Sequence, residues 1–151
     1  MAAKKPLCTV TAVVEAPYGA VAALLTTVSA GPVGADNAFF LADGPDNGME
    51  LRGGPDEFRA ATAGDTKGIR VEVDRSQAVL AIEGQWWYRA ESRVLPHPKG
   101  SRVTQQVFNV ADGGRWLVPM VARGVEGRQR VSMERLLARM SEHLGCAAYL
   151  E

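Results

Sequence analysis

The stretch from Trp116 to Leu144 constrains the fold more than any other, because it reads as one long amphipathic helix. Asp112 offers an oxygen to cap the first N–H groups, and Gly113-Gly114 gives a flexible entry. Leu117, Met120, Val121, Gly124 and Val131 then follow at helical spacing. Further along, the apolar set becomes Met133, Leu136, Leu137, Met140 and Leu144, which lies well around the cylinder from the first. The buried face is therefore expected to change midway. Gly124 and Gly127 stand at the change, and glycine costs about 1 kcal/mol relative to alanine inside a helix. Either the helix bends there or something packs closely against it. Both favour a long helix laid across a curved sheet with space between them.

The rest of the chain supplies the sheet. Cys8–Glu15 (CTVTAVVE) is rich in β-branched residues and reads as a strand. Ala16-Pro17 closes it, and Tyr18, Val21, Ala22, Leu24, Leu25 and Val28 give a helical period that Gly31-Pro32 ends. Ala38–Ala42 is a short helix or ordered loop, with Asp36 or Asn37 as its cap. Met49–Arg52 and Glu57–Thr62 read as brief strands around the turn Gly53-Gly54-Pro55-Asp56. In IRVEVD, Ile69, Val71 and Val73 alternate strictly with charge, as in a half-buried antiparallel strand, and AVLAIEG follows as its hairpin partner.

Trp86–Leu95 (WWYRAESRVL) is the longest expected strand, with Trp86, Tyr88, Ala90, Ser92 and Val94 on one face and a solvated charged set on the other. RVTQQVFNV is the last. One parity there carries Val103, Gln105, Val107 and Asn109, the other Arg102, Thr104, Gln106, Phe108 and Val110, so either face brings an amide inward. Strand, helices, antiparallel meander and terminal helix make an α+β architecture.

At 151 residues the chain is the size of one domain, read here as residues 1–151 with Leu150-Glu151 having the form of a tag-derived scar. Seventeen basic residues balance seventeen acidic ones, so the charge footprint of a protein that binds phosphate backbones or anionic membranes is missing, and nucleic acid is not an expected partner. Cys8 and Cys146 lack zinc or redox spacing and are expected as reduced, small apolar residues, a bridge between the chain ends being the alternative. No metal or cofactor is expected. MAAKKP has no apolar run behind it and no segment approaches the ~20 apolar residues of a membrane span, which gives a cytoplasmic expectation.

This order resembles the START-like (SRPBCC; polyketide cyclase/dehydrase and lipid-transport) superfamily. The resemblance rests on VTAVVEAPYGAVAALL, on the meander through WWYRAESRV and RVTQQVFNV, and on RWLVPMVARGVEGRQRVSMERLLARM, and it covers nearly the whole chain. It implies a helix-grip fold, a curved antiparallel sheet wrapped around the C-terminal helix with two short helices after the first strand. It also implies a cavity between sheet and helix for lipids, sterols, polyketides or other apolar small molecules.

The expected ligand-binding residues are Trp86, Tyr88, Gln105, Asn109, Met120, Gly124 and Arg128. Trp86 and Tyr88 offer aromatic surface with a polar edge. Gln105 and Asn109 offer amides that would fix a carbonyl or hydroxyl, Met120 and Gly124 line the helix side, and Arg128 would meet a carboxylate or enolate. Plain core packing accounts for the apolar members, and a snorkelling side chain for Arg128. Catalytic candidates are thin. His97 sits between prolines, His143 lies in the last helical turn, and Glu83 and Glu91 have outward parity. Ligand binding or transport is thus the expected function. The alternatives are an aromatase/cyclase-like enzyme of polyketide metabolism, and an interaction module with an exposed apolar patch around Trp87 and Leu95.

Overall fold

Alternation of apolar and polar residues builds a nine-stranded antiparallel sheet, and one helical period after another lays helices on its inner face. The computed structural model describes residues 5–34, 36–41, 48–62, 64, 68–84 and 86–151. Strand β1 (Cys8–Val14) turns Cys8, Val10, Ala12 and Val14 inward. Pro17 opens α1 (Tyr18–Thr26), which buries Val21 and Leu25. The helix stops two residues short of Val28, where the hydroxyls of Thr26 and Thr27 donate to the carbonyls of Ala22 and Ala23. Such back-bonding competes with continuation of the helix.

β2 (Gly31–Pro32) pairs briefly with β3 (Met49–Gly53). Between them Phe39–Leu41 forms a single 3-10 turn, so the two short helices expected after β1 are one α-helix and this turn. Asn37 does not cap it. Its amide instead ties Ser29 to Pro32 through three hydrogen bonds of 2.8–3.0 Å. Ala42, most of the turn TAGDTKG and the first four residues lie outside the described residues.

The meander continues through β4 (Glu57–Thr62), β5 (Ile69–Asp74), β6 (Val79–Glu83), β7 (Tyr88–His97) and β8 (Gly100–Asn109). A last strand, β9 (Ala148–Leu150), pairs with the free side of β1, giving the order β2-β3-β4-β5-β6-β7-β8-β1-β9. Leu150 faces Ala12, and Glu151 receives both guanidinium contacts of Arg102 at 2.8 and 2.9 Å. Cys8 and Cys146 are both free thiols.

The single helix expected from Trp116 to Leu144 is broken. Arg115–Leu117 is a 3-10 turn, α2 spans Val118–Val121, and α3 spans Val125–Leu144. Gly124 is the break: it adopts φ +75° ahead of the first turn of α3, a conformation that costs residues with a Cβ about 1–2 kcal/mol. Nothing packs on Gly127. Asp112 is no cap either, since Gly114 takes the position before the turn.

The change of buried face is also corrected. Met120, Val121 and Val131 point outward, while Val118, Ala122, Val125, Gln129, Met133, Leu136, Leu137 and Met140 are buried as one set. The small Ala122 and the polar Gln129 hid this set from a search for large apolar residues. α3 packs on β1 and β9, and α1 on β6 and β7. The larger core cluster joins Val10, Val14, Leu25, Val94, Val103 and Met133, with Phe58, Val71 and Leu80 from the far strands.

Candidate functional site: a polar layer between sheet and helix

Strand register puts two polar residues side by side in the interior, and a third enters from the helix above. Gln105 on β8 lies opposite Ser92 on β7 and opposite Val10 on β1, and Gln129 enters from the second turn of α3. All three are buried. On one side of this layer, Val94, Val103, Val10 and Met133 belong to the larger core. On the other, Ala90, Val107, Cys8 and Val125 belong to a second cluster roofed by Val118 and Ala122. The apolar core is thus cut in two by a sheet of amides and a hydroxyl.

The layer is incompletely satisfied. Gln129 Nε2 donates to the Tyr88 hydroxyl at 2.5 Å, which couples α3 to the start of β7. Gln105 Nε2 reaches Ser92 Oγ only at 3.4 Å, and Gln105 Oε1 has no partner although the residue is 3% exposed. Turning the amide over merely exchanges which end lacks a partner. An unmet buried polar group costs about 1–3 kcal/mol.

The chemistry of the layer is neutral. Burial pushes the Tyr88 phenol above its ordinary range, with the nearby Cys8 adding to the shift and the Gln129 hydrogen bond and Arg128 opposing it. Burial also raises the Cys8 thiol, reinforced by Glu126 and opposed by the Val107 backbone. A thiol so placed is a poor nucleophile. Tyr88 accepts from Gln129 and keeps its own proton to donate, while Gln105 offers an acceptor. The layer thus carries one hydroxyl with a proton to donate, on Tyr88, and one acceptor without a partner, Gln105 Oε1.

The expected site residues separate into two groups. Tyr88 and Gln105 lie on the inner face, and the Gln105 parity of β8 is the one turned inward. Asn109 sits at the strand end, where its Oδ1 accepts from the Ala111 N–H at 3.0 Å and its Nδ2 reaches the Arg115 carbonyl at 3.4 Å. It fixes the entry to the 3-10 turn. Trp86 precedes β7 and is half exposed, its indole donating to the Gly113 carbonyl at 2.8 Å. Met120 projects outward from α2, and Gly124 is the exposed joint. Arg128 is exposed and donates to the Arg123 carbonyl at 2.9 Å. Gln129 was missed, although its spacing of four from both Val125 and Met133 was the signal.

Other candidates fall elsewhere. His97 lies 3.3 Å from Glu151 at the β7–β8 hairpin, and the His143 ring sits 5.3 Å from Phe39. Trp87 is half buried and edge-on to Tyr88, and Leu95 is an exposed residue of β7. On the outer sheet face Arg89 bridges Glu72 at 3.0 Å and Glu83 at 2.8 Å beside an open depression of about 800 Å³. Its charges satisfy one another. Among the described residues no group of three or more His, Cys, Asp or Glu side chains could hold a metal, and no helix is long and apolar enough to cross a membrane. Comparisons with protein-family models, curated proteins and solved structures return no match to this chain.

Proposed function

We propose that this protein binds or carries a small apolar or aromatic molecule, bearing a hydrogen-bond donor and an acceptor, between the inner face of the sheet and α3. The reading takes the fold as helix-grip and the chain as START-like, acting in the cytoplasm. The observation that carries it is Gln105, a buried amide with an unpartnered end inside the layer that divides the core. Supporting it are the Tyr88–Gln129 pair and the neutrality of the surroundings, which favours an uncharged ligand over a carboxylate. A cyclase-like activity would also need a base beside the ligand, and burial disfavours the ionised forms of both Tyr88 and Cys8.

Native mass spectrometry of the purified protein tests the reading, followed by thermal shifts with fatty acids, sterols and aromatic polyketides. A ligand that binds only the folded state raises Tm with its affinity and concentration. The expected result is co-purified apolar ligand or a dose-dependent shift that Gln105→Leu abolishes. Absence of both across the panel overturns the proposal.

A further inference from the structure

We infer that the shoulder made by the 3-10 turn and α2 docks on an anionic phospholipid surface. Trp116, Met120 and Val121 are 77%, 64% and 51% exposed. Single exposed apolar residues are ordinary, but three within six positions, one of them an indole, form a patch that calls for a partner. Trp86 extends it, because its ring and the Leu117 side chain both lie against Gly114.

Charge identifies the partner. Between Arg115 and Arg130 the chain carries four arginines, Arg115, Arg123, Arg128 and Arg130, all exposed, against the single acid Glu126. The chain as a whole is balanced at seventeen against seventeen, so the excess is local to the shoulder. Arg128 donates to the Arg123 backbone carbonyl, which holds the Arg128 guanidinium just past the end of α2. A tryptophan three-quarters exposed projects from the surface instead of sitting in a groove. Indoles settle at the headgroup boundary of a bilayer, and neighbouring guanidinium groups reach its phosphates. An acidic protein would satisfy the charges, but it would leave the projecting indole to find a pocket.

So few apolar side chains anchor weakly by themselves, and the arginines must supply the remainder. Binding is therefore selective for anionic lipid and weakened by salt. The inference does not rest on the ligand reading, since it uses none of the layer's residues.

Co-sedimentation with vesicles tests it. The protein is expected to pellet with mixed phosphatidylglycerol–phosphatidylcholine vesicles at low salt, and far less with pure phosphatidylcholine or at high salt. Trp116→Ser combined with Met120→Ser should weaken binding at least about tenfold. Arg115→Gln combined with Arg123→Gln should weaken it about twenty-five-fold, at roughly fivefold per charge near the surface. All four positions are exposed, and circular dichroism confirms that each variant is folded. Gln105→Leu should leave vesicle binding unchanged, which separates this result from the fate of the ligand reading. No pelleting with anionic vesicles at low salt, including the case of retention on an acidic polypeptide alone, overturns the inference. So does equal pelleting of the parent and both double variants.

Discussion

Gln105 is where stability and binding pull in opposite directions. Its unpartnered amide end is a cost the folded chain carries alone, so Gln105→Leu should stabilise the ligand-free protein by about 1 kcal/mol. A higher urea midpoint at unchanged slope would show it, and the same variant should lose the ligand-induced shift. Tyr88 and Cys8 add a pH dependence. Both hold their protons more tightly in the folded chain than in the open one, because burial penalises the ionised forms. Unfolding then releases protons once the pH passes their ordinary values, about 8.5 for a thiol and about 10 for a phenol. Stability should be fully present below that window and fall as pH rises through it. In urea melts across this range Tyr88→Phe should show a shallower alkaline decline than the parent.

At the scale of elements, two nearby glycines do opposite work. Gly124 stands at φ +75° with only the Arg128 guanidinium near its position, so strain and not crowding opposes a side chain. Gly124→Ala should destabilise by about 1 kcal/mol. Gly127 lies inside α3 with open space around it, and Gly127→Ala should stabilise by a similar amount. Thermal melts of the two variants should therefore move apart in Tm. The break at Gly124 leaves the buried period intact: Val118, Ala122, Val125, Gln129 and Met133 keep the three-and-four spacing of one helical face, and Met120 and Val121 lie off it and are exposed.

At the scale of the whole molecule, the meander's last strand pairs with the chain's first in an open, curved sheet. β7, β8 and β1 carry the row of Ser92, Gln105 and Val10, and β9 covers the other side of β1. Removing residues 148–151 would take the β9 partners from the backbone groups of Thr11 and Val13 and leave an open edge. Such edges recruit other strands. Size-exclusion chromatography of the truncated chain should show self-association that the full chain lacks at equal concentration.

Periodicity in the sequence determined the sheet strands Ile69–Asp74 and Glu57–Thr62 almost to the residue, because alternation fixes a strand facing a core on one side and water on the other. It placed Tyr88 and Gln105 on interior-compatible faces for the same reason, and left the parity of the last strand open, since an amide occurs on both. Tertiary structure decided that parity, by pairing Gln105 with Ser92 against Val10. It also decided where the terminal helix breaks. The left-handed Gly124 parts α2 from α3, and Tyr88, forty-one positions away, meets the buried amide of Gln129. Net charge hid a local feature: the sum over the chain is zero, but residues 115–130 carry four arginines against one acid, and the structure decides that Trp116, Met120 and Val121 in the same stretch are exposed.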